Sequence, residues 1–318
     1  MKKILKEIPL PICGVMLGLA ALGNLLQAVF TNVLGAAAVG DVLRYVCGAL
    51  ASVIWLLLTE KVIFCFKGVC EAMSDPIVAS VSGTFPMATM LLSVYAKPFI
   101  GGTAAIVVWF AAIALHAALI IYFTAKFIFK LKLEKVFTSY YIVYVGIAVA
   151  SITAPAFDMS AVGAAAFWFA FVTLIALLVL VSVRYIRIPV KEPAKPLFCI
   201  YAAPVSLCLA GYIQSVSTKN SAMVIGMLIA SSAIFLMVLC ALPSLLKLKF
   251  YPSYAAFTFP FVITAIAAMQ SMACLKAMKM PQPWLKYVVI VETILATVLV
   301  FYALIRYLIA ICKKVSAA

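Results

Sequence analysis

Acidic and imidazole side chains are scarce in this chain. It has nine Asp and Glu, one histidine (His116), and only 10% charged residues in 318 positions. Enzymes that work in or on membranes need acids, bases or metal ligands brought together. Here there are no paired carboxylates, no H-E-x-x-H, no Gly-rich phosphate loop and no D-x-x-D cluster. The expectation is therefore a protein that is not an enzyme and holds no metal or other cofactor. The nine cysteines form no C-x-x-C pair and lie mostly within apolar runs. They read as small buried hydrophobes rather than as a disulfide or metal framework.

What fills the chain instead is apolar surface. The hydrophobic fraction is 68%, against ~45–50% in soluble domains, and the mean hydropathy is +1.24. A compact body of this composition lacks the polar area to coat itself in water, so most side chains must face lipid or one another. Apolar runs fall at roughly 9–30, 40–66, 76–96, 100–128, 139–156, 160–186, 194–216, 220–246, 252–275 and 283–312. Ten spans of about 20 residues each use up the chain, giving one transmembrane domain over 1–318 with no room for an extramembrane catalytic domain. The Met1-Lys2-Lys3 start resembles a signal peptide. Pro9 and Pro11 interrupt the apolar region, however, and the run outlasts signal length, so the first span is read as resident.

The balance of 24 Lys and Arg against nine acids leaves +15, which in a soluble protein would suggest nucleic acid. In a membrane protein it is first a topology signal. Ten spans place both termini on one side, where eighteen basic residues gather, among them Lys2, Lys3, Lys6, Lys61, Lys67, Lys126 and Lys314. Six, among them Arg44 and Lys97, fall on the other. The bias predicts cytoplasmic termini in a multi-pass protein of the cell membrane.

Odd and even spans differ. Even spans are long and rich in bulky aliphatics, whereas odd spans carry an interruption near the middle, at Pro11, Pro86, Gly146, Pro204 and Pro260. These are 75, 60, 58 and 56 residues apart. Thr84-Phe85-Pro86 and Thr258-Phe259-Pro260 even repeat a tripeptide, offset by 174. The spacing reads as five tandem helical hairpins. A mid-span proline leaves a carbonyl unpaired, which lipid cannot repair, so such breaks belong where neighbouring helices or a water-filled cavity can. The predicted architecture is all-α, with the odd helices in an inner ring around a central pore and the even helices in an outer ring. The odd spans also bring hydroxyls and amides, including Thr84, Thr89, Thr258, Thr264 and Gln270, and no basic residue at mid-depth. A pore so lined would hold an anion weakly and pass it readily. Freed carbonyls, however, attract cations, so the breaks alone do not predict charge preference.

Glu292 lies about ten residues into the tenth span, where an ionised carboxylate costs ~2.5–3.5 kcal/mol or more. It is either a proton-coupling site, with His116 as a possible partner, or a neutral acid bonded to a neighbouring helix. Its place on an even helix favours the second. His116 alone reads as an interhelical donor.

The residues then resemble a known family, the tellurite-resistance/dicarboxylate transporters, which includes TehA-type bacterial proteins and plant guard-cell slow anion channels. The likeness is carried by Ile8-Pro9-Leu10-Pro11 with Gly14 and Gly18, by Ser74-Asp75-Pro76 followed by Phe85-Pro86-Met87-Ala88-Thr89-Met90, and by Ala255-Ala256-Phe257-Thr258-Phe259-Pro260. The resemblance implies ten helices in five hairpins around a pore, a homotrimer in the lipid bilayer with no nucleic-acid partner, and passage of small anions: chloride, nitrate, sulfite, tellurite-type oxyanions or C4-dicarboxylates such as malate. It also implies that a phenylalanine of the ninth helix, Phe259 here, plugs the pore. Phe85, its repeat mate, is expected to narrow the same passage. Gly146 departs from the proline pattern and leaves the fifth kink open. With a negative cell interior, entry of a dianion is opposed by about twice ~2.3 kcal/mol per 100 mV. The reading is thus a passive, outward, gated anion route, with a proton-coupled dicarboxylate or sulfite carrier using Glu292 as the alternative. Ten-helix carriers built from two halves would instead repeat near 150 residues, and a receptor or scaffold would usually carry a longer soluble tail.

Overall fold

The computed structural model describes residues 2–317. The side chains of Lys2 and Lys3, counted above on the terminal side, lie outside the described residues. Among the described residues, nine helices are long and apolar enough to cross a membrane: Leu10–Asn32, Ala37–Phe64, Pro76–Ile100, Gly102–Ile128, Ser160–Arg187, Glu192–Ser215, Ser221–Leu246, Pro252–Ala277 and Leu285–Ser316. The crossing between the fourth and the sixth of the ten spans is assembled from short pieces. They are the α-turns Tyr140–Tyr144 and Val149–Thr153 and the 3-10 turns Gly146–Ala148 and Ala154–Phe157. Gly146 and Pro155 explain why no single helix forms there, since glycine weakens and proline ends a helical run.

Burial sorts the spans into the two expected environments. Over an 18-residue apolar stretch of the first, third, seventh and ninth spans 67–89% of positions are buried within the protein, and of the even spans only 22–44%. Each odd span packs against the odd spans before and after it, and the ninth returns to the first, closing a ring of five. Each even span lies against its own hairpin partner and the next odd span, and the tenth lies across the first. The even helices therefore cover the seams of the inner ring and turn large apolar side chains such as Ile121, Val172, Ile229 and Val298 outward. With no water to repair backbone groups in hydrocarbon, this places irregular backbone only where protein surrounds it.

The breaks differ from the sequence expectation in one physical detail. Prolines were expected within helices, each orphaning a carbonyl one turn back. Instead each span breaks first. Pro86, Pro204 and Pro260 fall within the first turn of the α-helices Thr84–Ile100, Ala202–Ser215 and Phe259–Ala277, and Pro11 lies in the 3-10 turn Leu10–Ile12 ahead of Cys13–Asn32. First-turn N–H groups have no partner within the helix, so a proline there removes no helix bond and its fixed φ suits the start. Ahead of the breaks the seventh and ninth spans run as the 3-10 turns Glu192–Tyr201 and Pro252–Phe257, and the third as the short α-helix Pro76–Val81.

Close approach of the first and ninth spans depends on glycine. A Cβ on Gly18 would sit 2.5 Å from the Thr258 Cβ and 3.2 Å from the Phe259 nitrogen. Overpacking of this kind costs about 1–3 kcal/mol. Gly18→Val should therefore lower the thermal unfolding midpoint of the detergent-solubilised protein, and a midpoint equal to the wild type would show that the two spans are not locked together there.

Candidate functional site

A cavity of about 200 Å³ lies inside the ring and takes lining residues from all five odd spans: Gly14, Thr84, Gly146, Pro204 and Phe259 are one from each. Pro11 and Pro260 also line it. Nearly all lining residues come from the terminal-side half of their spans, Leu207 of the seventh lying beyond its middle. The cavity sits at the breaks, where four long helices begin and run away from the terminal side: Cys13–Asn32, Thr84–Ile100, Ala202–Ser215 and Phe259–Ala277. Gly14, Thr84, Ala203 and Phe259, from the first two positions of these helices, line the cavity, joined by Leu17, Met87, Pro204 and Leu207 further along. Each helix start carries roughly half a positive elementary charge, so four of them bias the cavity toward anions. This bears on the question the prolines left open, since the residues at four helix starts stand at the cavity wall.

Phe259 is the first residue of its helix and is 5% exposed. Its position is set by Thr258, whose backbone (φ −103°, ψ −95°) is neither helical nor extended. The Thr258 hydroxyl is 2.8 Å from the Gly14 carbonyl and 2.7 Å from that of Ala255, donating across to the first span or within its own turn. Gly14, Gly18 and Thr258 thus position the ring, though Gly18 and Thr258 themselves do not line the cavity. Gly146 lines it and admits close neighbours: a Cβ there would lie 2.7 Å from Met87 Sδ and 3.1 Å from His116 Cε1.

The cavity wall corrects the expected hydroxyl lining. Its side-chain oxygens come from Thr84, Tyr141, Ser253 and Asp75, and their hydrogen-bonding groups are engaged. Thr84 donates to the Val81 carbonyl (2.8 Å), Tyr141 to that of Leu177 (3.3 Å) and Ser253 to that of Pro193 (2.6 Å). Asp75 caps the helix Pro76–Val81, accepting from the amides of Ile77 and Val78 at 2.9 and 3.0 Å. Hydroxyls on buried helices find the nearest carbonyl of the preceding turn, which ties them up. Ser206, Thr264 and Thr89 do the same.

Three further expectations change. Phe85 does not face the cavity. It stacks on Trp55 at 6.2 Å with 14° between the ring planes and, with Pro86, lines a groove on the lipid side. Thr89 likewise faces the second span, accepting from Trp55 Nε1 at 2.9 Å. The repeat of Thr-Phe-Pro is not a repeat of orientation: Phe85 is the second residue of its helix and Phe259 the first, a rotation of about 100° at 3.6 residues per turn. His116 is fully buried, with Nε2 2.9 Å from the Val143 carbonyl and Nδ1 unpartnered. Glu292 is 7% exposed with an unpartnered Oε2. The two lie on outer helices packed against different inner spans, no hydrogen bond joins them, and neither lines the cavity.

Sequence reasoning missed a second space, about 770 Å³, on the terminal side. It shares Pro11, Val78 and Pro252 with the cavity wall and is lined by Lys6, Lys61, Lys67 and Lys314 against Glu7 and Glu71. Lys61 donates to the Leu5 and Lys6 carbonyls at 2.8 and 3.0 Å, so its charge meets neutral acceptors. These lysines come from the first, second and tenth spans and the turn after the second, distant in sequence. Counted for topology alone, they gave no sign of convergence.

The orientation of Phe85 has a direct check. Cysteine placed at Ala256 should react with a membrane-impermeant thiol reagent from the terminal side, and cysteine placed at Phe85 should not. Equal labelling would put Phe85 in the aqueous route after all.

Comparison with known families brings one match: the sequence model of the voltage-dependent anion channel family, SLAC1, aligns with residues 7–308. No curated protein matches the chain.

Proposed function

Because the chain belongs to the voltage-dependent anion channel family, whose members are anion channels or transporters, we propose that it forms a gated, passive route for small anions across the cell membrane. Chloride, nitrate, sulfite, tellurite-type oxyanions and C4-dicarboxylates are the ions to compare. In this reading both termini are cytoplasmic, net flow is outward along the membrane potential, Phe259 is the gate, and three copies assemble, each with its own passage.

The observation that carries the passive reading is the engagement of the cavity's hydrogen-bonding groups. A carrier that grips its substrate needs free donors convergent on one point, and here the three hydroxyls already donate to carbonyls. An apolar wall with a ring at its narrow point suits a gate that closes by dewetting, with selectivity by charge supplied from helix starts and vestibule lysines. The coupled-carrier alternative rests on Glu292, which stands on the tenth span, away from the cavity, while the carboxylate that does line it, Asp75, is held as a helix cap by the amides of Ile77 and Val78. Burial of Glu292 on a helix packed against the first and ninth spans needs no part in transport.

In proteoliposomes with a membrane potential alone, anion current should flow, and Glu292→Gln should leave it intact. Flux that requires a pH gradient and disappears in Glu292→Gln would establish the coupled carrier instead. Phe259→Ala should raise conductance while the assembly persists, and unchanged currents in folded protein would reduce Phe259 to packing.

The vestibule makes a separate prediction. Its lysines act through a field screened over ~10 Å at 0.1 M salt. Lys67→Gln with Lys314→Gln should lower anion current several-fold at low ionic strength and much less near 1 M. A reduction independent of salt would mean the lysines serve structure rather than attraction.

A further inference from the structure

Outside the passage, a groove of about 760 Å³ with mostly apolar walls lies between the second, third and fourth spans, open toward the lipid on the terminal side. Its floor is apolar, with Trp55, Leu58, Phe85, Leu115 and Leu119 among its walls. Its rim is formed by the short helix Phe66–Ala72, no residue of which is buried. At its mouth stands Lys126, which lies in the π-helical turn Thr124–Ile128 that ends the fourth span. Such turns re-aim side chains and are frequent at functional sites. The Lys126 ammonium donates to Tyr122 Oη at 2.8 Å and to Ser74 Oγ at 3.1 Å. Both acceptors are neutral, so they orient the charge without cancelling it, and an ammonium has a third N–H to give. Lys130 and Lys132 are exposed in the loop that follows.

An apolar groove at this depth faces acyl chains rather than water, and its volume falls within the ~300–1,000 Å³ of ligand sites. From the apolar floor, the oriented cation at the mouth and the lysines beyond, we propose that the groove binds one anionic glycerophospholipid of the terminal-side leaflet. An acyl chain lies along Trp55 and Phe85, and the phosphate is held by Lys126. The site is continuous with the passage wall. Leu10, Cys13, Ser82 and Pro86 line the groove, at the same breaks of the first and third spans that turn Pro11, Gly14, Val81 and Thr84 to the cavity. The lipid tail thus backs two of the five breaks from outside the ring, and the Cys13 thiol, 3.4 Å from the Val81 carbonyl, links those two breaks to each other.

Trp55 provides the readout. The full-length protein is placed in phosphatidylcholine nanodiscs with a minor share of phosphatidylglycerol whose acyl chains carry bromine, and quenching is assigned to Trp55 by comparison with Trp55→Phe. Half-maximal quenching should need about fivefold less brominated phosphatidylglycerol than brominated phosphatidylcholine, the advantage one lysine confers near a membrane surface. Lys126→Gln should abolish that difference. Ala118→Phe, which adds a ring at an exposed position on the groove wall, should remove the quenching by either lipid while the protein stays folded by circular dichroism. Equal quenching by the two lipids in the wild type, or full quenching in Ala118→Phe, would show ordinary annular lipid and overturn the site. So would quenching that appears only after the protein is dissociated to single chains, since the groove would then be covered by a second copy.

Discussion

The constraint on which the rest of this structure depends is that hydrocarbon offers no hydrogen bonds. A broken helix exposes backbone groups whose burial without partners costs several kcal/mol, so a chain with five broken spans must enclose them. The ring does this. Each irregular stretch at Leu10–Ile12, Gly146–Ala148, Glu192–Tyr201 and Pro252–Phe257 lies inside a layer of even helices. The even helices, uninterrupted for 22 residues or more, meet the lipid. Two grades of helix and two layers are one solution to one solvation problem.

From the same constraint follows the electrostatics of the passage. Helices that break at mid-membrane must restart there, and restarting places N-terminal ends in the protein interior. Four long helices do so around one cavity and all run the same way, because every odd span begins on the terminal side. Helix starts are thus gathered at the cavity although no basic residue lines it. Small residues complete the device: Gly14 and Gly18 let the ninth span come close enough for the Thr258 hydroxyl to reach the Gly14 carbonyl, and this contact holds the ring of Phe259 in place. Outside the ring, the space next to the cavity collects four lysines and two acids from parts of the chain distant in sequence.

The periodicity of Pro11, Pro86, Gly146, Pro204 and Pro260 made the hairpin repeat and the inner and outer rings legible, because hydropathy and helix breaking act locally and survive in a linear reading. The fifth break was legible as a position but not as a conformation. Gly146 is followed by a 3-10 turn and a short helix because Pro155 lies nine residues further on, and the two together leave no room for a full helix. The hydroxyls were legible as polar groups but not as spent ones. Whether Thr84 offers its proton to an ion or to Val81 depends on where the chain's own carbonyls fall.

By itself, then, the sequence determined the solvent of this protein, the number of its spans, the places where they break and the family to which it belongs. The first three follow from composition and short-range spacing, the family from the likeness of motifs along the chain. Only the tertiary structure decided which way each residue at a break faces: Phe259 inward and Phe85 toward Trp55 and the lipid, although each stands in the same Thr-Phe-Pro. One position of helical phase separates them, and phase at a restart is set by neighbouring spans, here by Gly14 and Gly18 of the first against Thr258 of the ninth. The convergence of Lys6, Lys61, Lys67 and Lys314 belongs to the same class of fact, since only the closing of the ring from first span to ninth brings those parts of the chain to one opening.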